Sequence, residues 1–258
     1  MCTLALYFRE FENYPLVVAA NRDEHFSRPS APPQVLLDEP TVFGGKDLVA
    51  GGTWLGINTH GLIAGIVNRR VETPKAMTTP RSRGLLCLDM LRAKDVAQAR
   101  EWLWQENGSR YQPFILLVAS SEASFAAYNS GSGIRQIELE TGLHVFSNTS
   151  FCEPDSGKLS HAHQLFSAAI TPLRKQLDGS AAETFSSVET LQGILSDHEP
   201  AGNSKDPRDA ICVHTPDYGT VSSTILFHAR FEKRFHFHHA PAPPCRGLYG
   251  AAHSREIL

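Results

Sequence analysis

Apolar and polar positions along the chain follow a pattern that predicts mostly strands. Two short apolar runs, residues 3–8 and 16–20, flank a polar segment ending in Pro15, which predicts a β-hairpin. Residues 51–58 and 61–68 predict two more strands, and the second is so apolar that it belongs inside a layered structure. Further strands are predicted at residues 114–119, 125–128, 134–139 and 144–146, as an antiparallel meander, and at residues 210–214, 220–227 and 231–237.

Helical spacing of apolar residues occurs in two stretches. After Ser82, a proline-free run predicts one or two helices that end near Glu106. Residues 156–176 and 187–196 predict further helices, with Ser187 as a helix N-cap. The proline-rich residues 28–33 predict a loop instead.

The order of these elements predicts the fold class. Strands, helices, strands, helices and strands follow one another, which is typical of an α+β domain whose helices pack on stacked antiparallel sheets. No internal repeat and no low-complexity linker interrupts the chain. We therefore expect a single domain over residues 1–258.

Glycines concentrate in the strands predicted near residue 55. Gly51, Gly52, Gly56 and Gly65 all lie there. Because glycine weakens a strand, its presence inside one indicates a bulge or a close approach of another backbone segment.

Composition narrows the classes of function. The chain has 258 residues, of which 41% are hydrophobic and 20% charged, and a formal net charge of -3. Lys and Arg are scattered, so no basic stripe predicts nucleic-acid binding. The longest apolar run, residues 113–119, is too short to span a bilayer. We expect a globular protein with a small-molecule substrate or ligand as its partner; the sequence does not indicate an oligomeric state.

The N-terminus and the cysteines favour a cytoplasmic location. Arg9, Glu10 and Glu12 interrupt the first apolar stretch, which is unlike a signal peptide. The five cysteines form no C-x-x-C pair, which argues against a disulfide framework and against a zinc ribbon. They are Cys2, Cys87, Cys152, Cys212 and Cys245.

Twelve histidines raise the question of a metal or haem. His236 and His238 alternate with apolar residues, so they share one face of a predicted strand. Sequence spacing indicates no third ligand and no H-E-x-x-H helix. We therefore predict a solvated strand face and no metal site.

Cys2 directly follows the initiator methionine and directly precedes a predicted strand. If Met1 is removed, the thiol and the chain's α-amine belong to one residue. Their ordinary pKa values, about 8.5 and about 7.7–8.0, let this residue supply both nucleophile and proton acceptor. The alternative is that Cys2 is a small buried residue of the core, which is common for a free cysteine.

A block of polar residues, Asn21-Arg22-Asp23-Glu24, ends the strand predicted to pair with the first one. The hairpin would bring Arg22 and Asp23 close to Cys2. A guanidinium there would favour the thiolate and could bind a carboxylate, and a carboxylate could orient the amine. The alternative is a surface turn or an ion-pair cluster.

Two asparagines, Asn68 and Asn148, each end a strand-like run. An amide N–H at such a position can stabilise an oxyanion during acyl transfer. The alternative is that both side chains only form turns. The chain contains no G-x-S-x-G elbow, Walker loop or G-x-G-x-x-G after a strand.

Together these motifs resemble the NRDE family, also called the Transport and Golgi Organization two family. The matching segments occur in the family's order and cover most of the chain. They are Met1-Cys2-Thr3, Ala20-Asn21-Arg22-Asp23-Glu24 followed by Arg28-Pro29, Gly51-Gly52-Thr53-Trp54-Leu55-Gly56, Val67-Asn68-Arg69 and Ser147-Asn148.

The resemblance implies an Ntn-hydrolase-like fold, a four-layer αββα sandwich of two stacked, mainly antiparallel sheets flanked by helices. It implies that Cys2 is the nucleophile and that its α-amine is the base. Residues carried over by position divide into two sets: Cys2, Arg22, Asp23 and Asn148 as catalytic, and Asn21, Glu24, Arg28, Trp54 and Asn68 as substrate-binding.

The chain departs from the family pattern in two places. The Trp-Pro-Lys segment that usually follows Ser147-Asn148 is absent. The usual Thr-Arg-Ser-Ser-Thr reads Thr220-Val221-Ser222-Ser223-Thr224, so an arginine contact to an anion is lost.

Two functions follow from the resemblance. The first is hydrolysis of a non-peptide C–N amide bond in a small molecule, with no cofactor required. The alternative is a non-catalytic protein on the same fold that binds or transports haem, a lipid or acyl-CoA.

Overall fold

A computed structural model describes residues 3–69, 80–129, 133–148, 157–179, 184–202, 204–247, 249 and 255–257. Cys2, the predicted nucleophile, lies outside the described residues, as does Cys152. The chain forms two compact units, one containing residues 1–27 and 141–258 and the other residues 28–140. Each unit is described by itself.

The first unit is built on a six-stranded antiparallel sheet. With strands numbered in chain order, its members are β1 (Thr3–Phe8), β2 (Leu16–His25), β10 (Gly142–Ser147), β11 (Tyr218–Ala229), β12 (Arg234–Ala240) and β13 (Arg255–Ile257). Their order across the sheet is β10-β1-β2-β11-β12-β13. The pairing of β1 with β2 confirms the predicted hairpin.

Three helices of the first unit share a core with this sheet. They are α3 (Gly157–Ala168), α4 (Ile170–Leu177) and α5 (Thr184–Leu195). Alternate residues of β2, such as Val17 and Ala19, are buried in one cluster with Phe166 of α3 and Leu191 of α5. Because side chains alternate along a strand, this cluster identifies the face of β2 that is turned toward the helices.

The second unit contains a seven-stranded antiparallel sheet and two helices. The strands, in sheet order, are β3 (Ser30–Asp38), β4 (Thr41–Asp47), β5 (Leu55–Asn58), β6 (Ile63–Asn68), β7 (Phe114–Ala119), β8 (Ser124–Asn129) and β9 (Ile134–Glu138). The helices are α1 (Arg83–Met90) and α2 (Val96–Gln105), whose buried faces join the sheet residues in a second core.

Side-chain caps fix where α1 and α2 begin. Ser82 accepts a hydrogen bond from the backbone N–H of Gly84, and Asp95 accepts one from Gln98 at 2.8 Å. Such caps satisfy backbone donors that a helix start leaves free. The predicted helical stretch after Ser82 is confirmed.

Ser187, however, lies buried inside α5, so its prediction as an N-cap is wrong.

The prediction of a loop at residues 28–33 is wrong, because β3 begins at Ser30 and includes Pro32 and Pro33. β3 is the edge strand of its sheet, and its register with β4 shifts between Ala31 and Gln34. Proline has no N–H to donate, so an edge strand with an irregular register tolerates it.

The last strand of the predicted meander belongs to the other sheet. β7, β8 and β9 form a meander, but β10 pairs with β1. The predicted strand at residues 210–214 is also wrong. It contributes only an isolated bridge between His214 and Gly219, after a single helical turn at Pro207–Asp209.

Another backbone segment lies so close to residue 52 that only glycine fits there, as the sequence indicated. A Cβ placed on Gly52 would lie 2.2 Å from the carbonyl carbon of Gly84, at the start of α1. Gly51 instead has a φ of 77°, a conformation that glycine adopts without strain. Among the described residues, no helix is long and apolar enough to cross a membrane.

We predict that Gly52→Ala lowers the free energy of unfolding by about 1–3 kcal/mol, because the added methyl group has to displace the backbone at Gly84. Urea denaturation followed by circular dichroism measures the loss. Gly193→Ala is the matched control, since a Cβ at this position of α5 meets no atom within 4 Å. It should leave stability unchanged or raise it by up to about 1 kcal/mol. Equal midpoints for Gly52→Ala and the wild type would contradict the prediction.

Candidate active site

Four strand ends meet at one edge of the sheet in the first unit. Thr3, the first residue of β1, pairs with Asn21 of β2 on one side and with Ser147 of β10 on the other. Asn21 in turn pairs with Ser223 of β11. The polar block at the end of β2 therefore lies beside the start of β1, as the hairpin predicted.

Asp23 is buried at this edge and is surrounded by partners from other elements. Its Oδ1 accepts a hydrogen bond from the Thr220 hydroxyl at 2.6 Å. Its Oδ2 lies 3.9 Å from Nζ of Lys158, which is itself only 2% exposed. The Tyr218 hydroxyl donates to the backbone carbonyl of Asp23 at 3.2 Å. These contacts connect β2 to β11 and to α3.

Burial raises the pKa of Asp23 above the ordinary value, although Lys158 and the hydrogen bond from Thr220 act in the opposite direction. Removing a carboxylate from water disfavours its charged form, and a nearby cation only partly compensates. The site thus combines one buried cation with one buried carboxyl group of weakened acidity.

Arg22 lies on the opposite face of β2 from Asn21 and Asp23. Asn21 and Asp23 contact the helical part of the unit, and successive side chains of a strand point to opposite faces. Arg22 is 5% exposed, and its Nη2 lies 3.9 Å from Oε2 of Glu24. Arg22 and Glu24 therefore share one face of the strand.

A β-bulge accompanies the position where the family usually has arginine. Asp23 pairs with Thr220 and Arg22 with Ser222, so Val221 is the extra residue of β11. A bulge places two residues opposite one and changes the direction of side chains around it. Val221 supplies no charge there, and the buried cations at this edge among the described residues are Arg22 and Lys158.

Both N–H groups of the Asn21 amide are used to hold backbone. They donate to the carbonyl of Leu195, at the end of α5, at 2.8 Å and to the carbonyl of Ile211 at 3.1 Å. The last carbonyls of a helix lack partners within the helix, so Asn21 satisfies one of them. This side chain positions two segments of the first unit relative to β2.

Several buried oxygens at this edge have no hydrogen-bond partner among the described residues. An unpaired buried polar atom costs stability and is uncommon in folded proteins. Examples come from β1, β2, β11 and the residue after β10: Thr3 Oγ1, Asn21 Oδ1, Ser222 Oγ and Asn148 Oδ1. The edge therefore offers polar groups to a ligand or to residues outside the described part of the chain.

The remaining predicted substrate-binding residues, Arg28, Trp54 and Asn68, lie in the second unit. Arg28 donates through Nη2 to Asp47 at 2.6 Å. Burial opposes ionisation of Asp47, but this bond and those from the N–H groups of the following turn lower its pKa overall. The Trp54 ring covers Gly45, where a Cβ would lie 2.2 Å from it. Asn68 ends β6 opposite Phe114.

Asp23 has three partners that were not predicted from the sequence: Lys158, Thr220 and Tyr218. A signal for Lys158 was present, because it lies four and eight residues before Ala162 and Phe166 and shares their buried stripe on α3. A lysine on an apolar helix stripe indicates a buried counter-charge. Thr220 and Tyr218 could be found only through the strand register.

His236 and His238 lie at alternate positions of β12, as predicted, but both are half-buried, so the prediction of a solvated strand face is wrong. Burial lowers the pKa of His238 to about 4, and the neighbouring His236 adds to this effect. Residues suited to hold a metal lie elsewhere, at His198, Cys212, His214 and Cys245.

Solved structures of other proteins show the fold class to which this chain belongs. The C2A mutant of conjugated bile acid hydrolase from Clostridium perfringens matches with a TM-score of 0.56 and 10% identity over 100% of this chain and 97% of its own. The N-acylethanolamine-hydrolyzing acid amidase ortholog of Caenorhabditis elegans gives a TM-score of 0.54 and 11% identity, covering 100% of both chains. Penicillin V acylase from Agrobacterium tumefaciens gives 0.54 and 15% identity, covering 94% and 84%. The α+β, Ntn-hydrolase-like fold is confirmed.

Sequence comparison identifies the family within that class. The model of the Transport and Golgi organisation 2 family matches residues 1–239, and the chain belongs to this family. The Transport and Golgi organization protein 2 homolog of Homo sapiens is 29% identical over 241 residues, and that of Bos taurus 28%; each match covers 86% of both chains. The predicted family resemblance is confirmed.

We predict that the buried Asp23 makes the wild type lose stability, relative to Asp23→Asn, as pH rises. A raised folded-state pKa means that stability is full below the unfolded-state value of about 3.9 and is lost as pH rises through the folded-state value. Urea denaturation of both proteins at several pH values from acidic to neutral measures how the difference in their free energies of unfolding changes with pH. This change reports on the Asp23 carboxyl group. The asparagine keeps an oxygen that can accept from Thr220. If the wild type instead becomes more stable than Asp23→Asn as pH rises, the attraction of Lys158 lowers the pKa of Asp23 more than burial raises it, and the prediction is contradicted.

Proposed function

We propose that this protein is an N-terminal cysteine amidohydrolase that cleaves a non-peptide C–N bond in a small molecule. The observation that carries the proposal is the double pairing of Thr3 with β2 and β10. Cys2 directly precedes Thr3 in the chain, and Arg22 and Asn148 directly follow Asn21 and Ser147, the two pairing partners of Thr3. Three of the predicted catalytic residues are therefore each adjacent in sequence to one of these paired positions.

The charges at this edge suit a thiolate nucleophile. Arg22 is buried, so its guanidinium acts through a medium less polar than water and favours an anionic sulfur. We assign the Asp23 carboxyl group to orienting the α-amine of Cys2. Lys158 and Thr220 hold that carboxyl group in place.

In the proposed reaction the Cys2 sulfur attacks the amide carbonyl carbon while the α-amine takes the thiol proton. The C–N bond then breaks, the amine product leaves with the proton returned by the α-amine, and a thioester remains. Water attacks the thioester with the α-amine as base, which releases the carboxylic acid and restores the thiol.

Asn148 is the residue we assign to the oxyanion of this reaction. It is 2% exposed, and its side-chain oxygen has no hydrogen-bond partner among the described residues. A half-turn about its last side-chain bond exchanges the oxygen with the NH₂ group, which would then donate at that place. Donors aimed at a developing negative charge lower the barrier to acyl transfer.

The printed names of the structural neighbours support the reaction class. They describe hydrolysis of N-acylethanolamines and conjugated bile acids and an acylase for penicillin V, and one of these enzymes was solved with its own Cys2 replaced by alanine. We propose that this chain also hydrolyses an amide substrate. Cys87, Cys212 and Cys245 form no disulfide among the described residues, which supports the proposed cytoplasmic location.

We predict that the mature protein carries Cys2 as its first residue and reacts with 2-cyanobenzothiazole, which condenses only with a thiol and an amine on the same residue. Intact mass spectrometry measures both the loss of Met1 and the added mass. Cys2→Ala should not react, whereas the matched control Cys87→Ala should react fully. Complete retention of Met1 in protein purified from cells would exclude the free-amine mechanism.

We predict that the wild type hydrolyses at least one amide in a panel of N-acylethanolamines, conjugated bile acids and penicillin V, with release of the amine or acid measured by chromatography. Cys2→Ala should abolish the reaction, and Asn148→Ala should lower kcat by roughly 10²–10³-fold. Cys87→Ala should retain the wild-type rate. A rate that survives in Cys2→Ala would refute the assignment of the nucleophile.

The alternative function, non-catalytic binding or transport of haem, a lipid or acyl-CoA, stays a prediction from the family resemblance. Haemin titration of the wild type and of Cys2→Ala, read from the Soret band, tests it separately. Saturable binding combined with no hydrolysis of any panel amide would favour the carrier over the hydrolase.

A further inference from the structure

Two cysteines and two histidines of the first unit converge at one point, although they come from three separate segments. His198 follows α5, Cys212 and His214 precede β11, and Cys245 follows β12. Their four side-chain donor atoms all lie within 4.8 Å of one another. The candidate active site uses none of these side chains.

Four of the six distances among the donor atoms are close to the values of a tetrahedral zinc site. Zn–S bonds of about 2.3 Å and Zn–N bonds of about 2.0–2.1 Å place tetrahedral ligands about 3.8 Å apart for S–S, about 3.6 Å for S–N and about 3.3 Å for N–N. The two sulfurs lie 3.8 Å apart. His214 Nε2 lies 3.5 Å from Cys212 Sγ, 3.4 Å from Cys245 Sγ and 3.2 Å from His198 Nε2.

We propose that His198, Cys212, His214 and Cys245 bind one Zn²⁺ ion in a closed, tetrahedral site. Thiolate and imidazole are the donors that zinc prefers, and two of each form a common structural set. Because all four ligands come from the protein, the ion has no open position for a substrate. The site is therefore structural.

Sequence spacing could not reveal this site. It contains neither a C-x-x-C pair nor an H-E-x-x-H helix, the two spacings whose absence argued against a zinc ribbon and against a metal site. Cys212 and His214 are separated by only one residue. The other two ligands are far away in sequence, since His198 is 16 residues before His214 and Cys245 is 31 residues after it.

The ligand segments are also held by contacts that do not involve the ion. Gln192 of α5 donates to the carbonyls of Pro244 at 2.8 Å and Gly247 at 3.0 Å, on either side of Cys245. The Cys212 N–H donates to the carbonyl of Asp197, next to His198, at 2.7 Å. Ligands positioned in advance lose less conformational entropy when the metal binds.

The proposed ion would clamp the segment that supports Asp23. Val213, between two of the ligands, donates its N–H to the Thr220 hydroxyl at 2.9 Å and accepts from the Thr220 N–H at 2.8 Å. The same hydroxyl donates to Asp23. The carbonyl of Ile211, beside Cys212, accepts from Asn21. Zinc at this point would stabilise the sheet edge whether or not the edge is catalytic.

We predict that the full-length protein, purified with its thiols reduced, contains one equivalent of zinc by elemental analysis and native mass spectrometry. His198→Ala and Cys245→Ser remove exposed ligands and should each weaken zinc binding at least about tenfold in competition with a chromophoric chelator. His163→Ala, which removes an exposed histidine of α3, is the matched control and should bind zinc like the wild type.

Cobalt substitution and chelation give independent readouts. Co²⁺ in the wild type should produce the visible absorption of tetrahedral cobalt with a thiolate charge-transfer band, and Cys245→Ser should lose part of that band. A strong chelator should lower the Tm of the wild type but not of His198→Ala. Three results would overturn the proposal: reduced wild type without zinc affinity, wild-type affinity in both ligand variants, or a Cys212–Cys245 disulfide in metal-free protein as isolated.

Discussion

A carboxyl group buried at the end of a central strand has to be compensated, and the first unit is arranged around the compensation of Asp23. Its partners come from β11 through Thr220 and Tyr218 and from α3 through Lys158. A buried cation beside a buried carboxyl group costs desolvation energy on both sides, which hydrogen bonds only partly return. A gain in stability therefore does not by itself explain why these two groups are buried together. Buried ionisable groups are common at functional sites, which is why this edge is a candidate active site.

The alternation of side chains along β2 divides two tasks between neighbouring residues. Asn21 and Asp23 face the helices, where Asn21 holds the end of α5 and Asp23 meets Lys158. Arg22 lies on the other face with Glu24. The helix-facing side chains fix the strand in place, and the Arg22 guanidinium lies beside the Glu24 carboxylate on the opposite face. One short polar block therefore supports the sheet and also supplies the guanidinium that the proposed reaction uses.

Features that depend on local pattern could be predicted from the sequence, and those that depend on strand pairing could not. The hairpin of β1 and β2 and the helix start after Ser82 follow from turn residues and caps. The pairing of β10 with β1 joins residues about 140 positions apart, and no local pattern encodes such a partner. Lys158 could have been recognised on its helix stripe, but its target could not. The NRDE motifs identified the polar block without indicating which face each side chain occupies.

The segment of residues 211–214 shows why a metal clamp would matter at this edge. It is not a strand, and its backbone is fixed by Thr220, Asn21 and Asp197. Thr220 has one hydroxyl, which accepts from Val213 while it donates to Asp23, so a displacement of this segment would reach the carboxyl group directly. Three segments tied through one ion move together, whereas separate hydrogen bonds can break one at a time. A closed zinc site would thus convert a loosely paired segment into a fixed support for Asp23, and the position of that carboxyl group would depend on ligands as distant in sequence as Cys245.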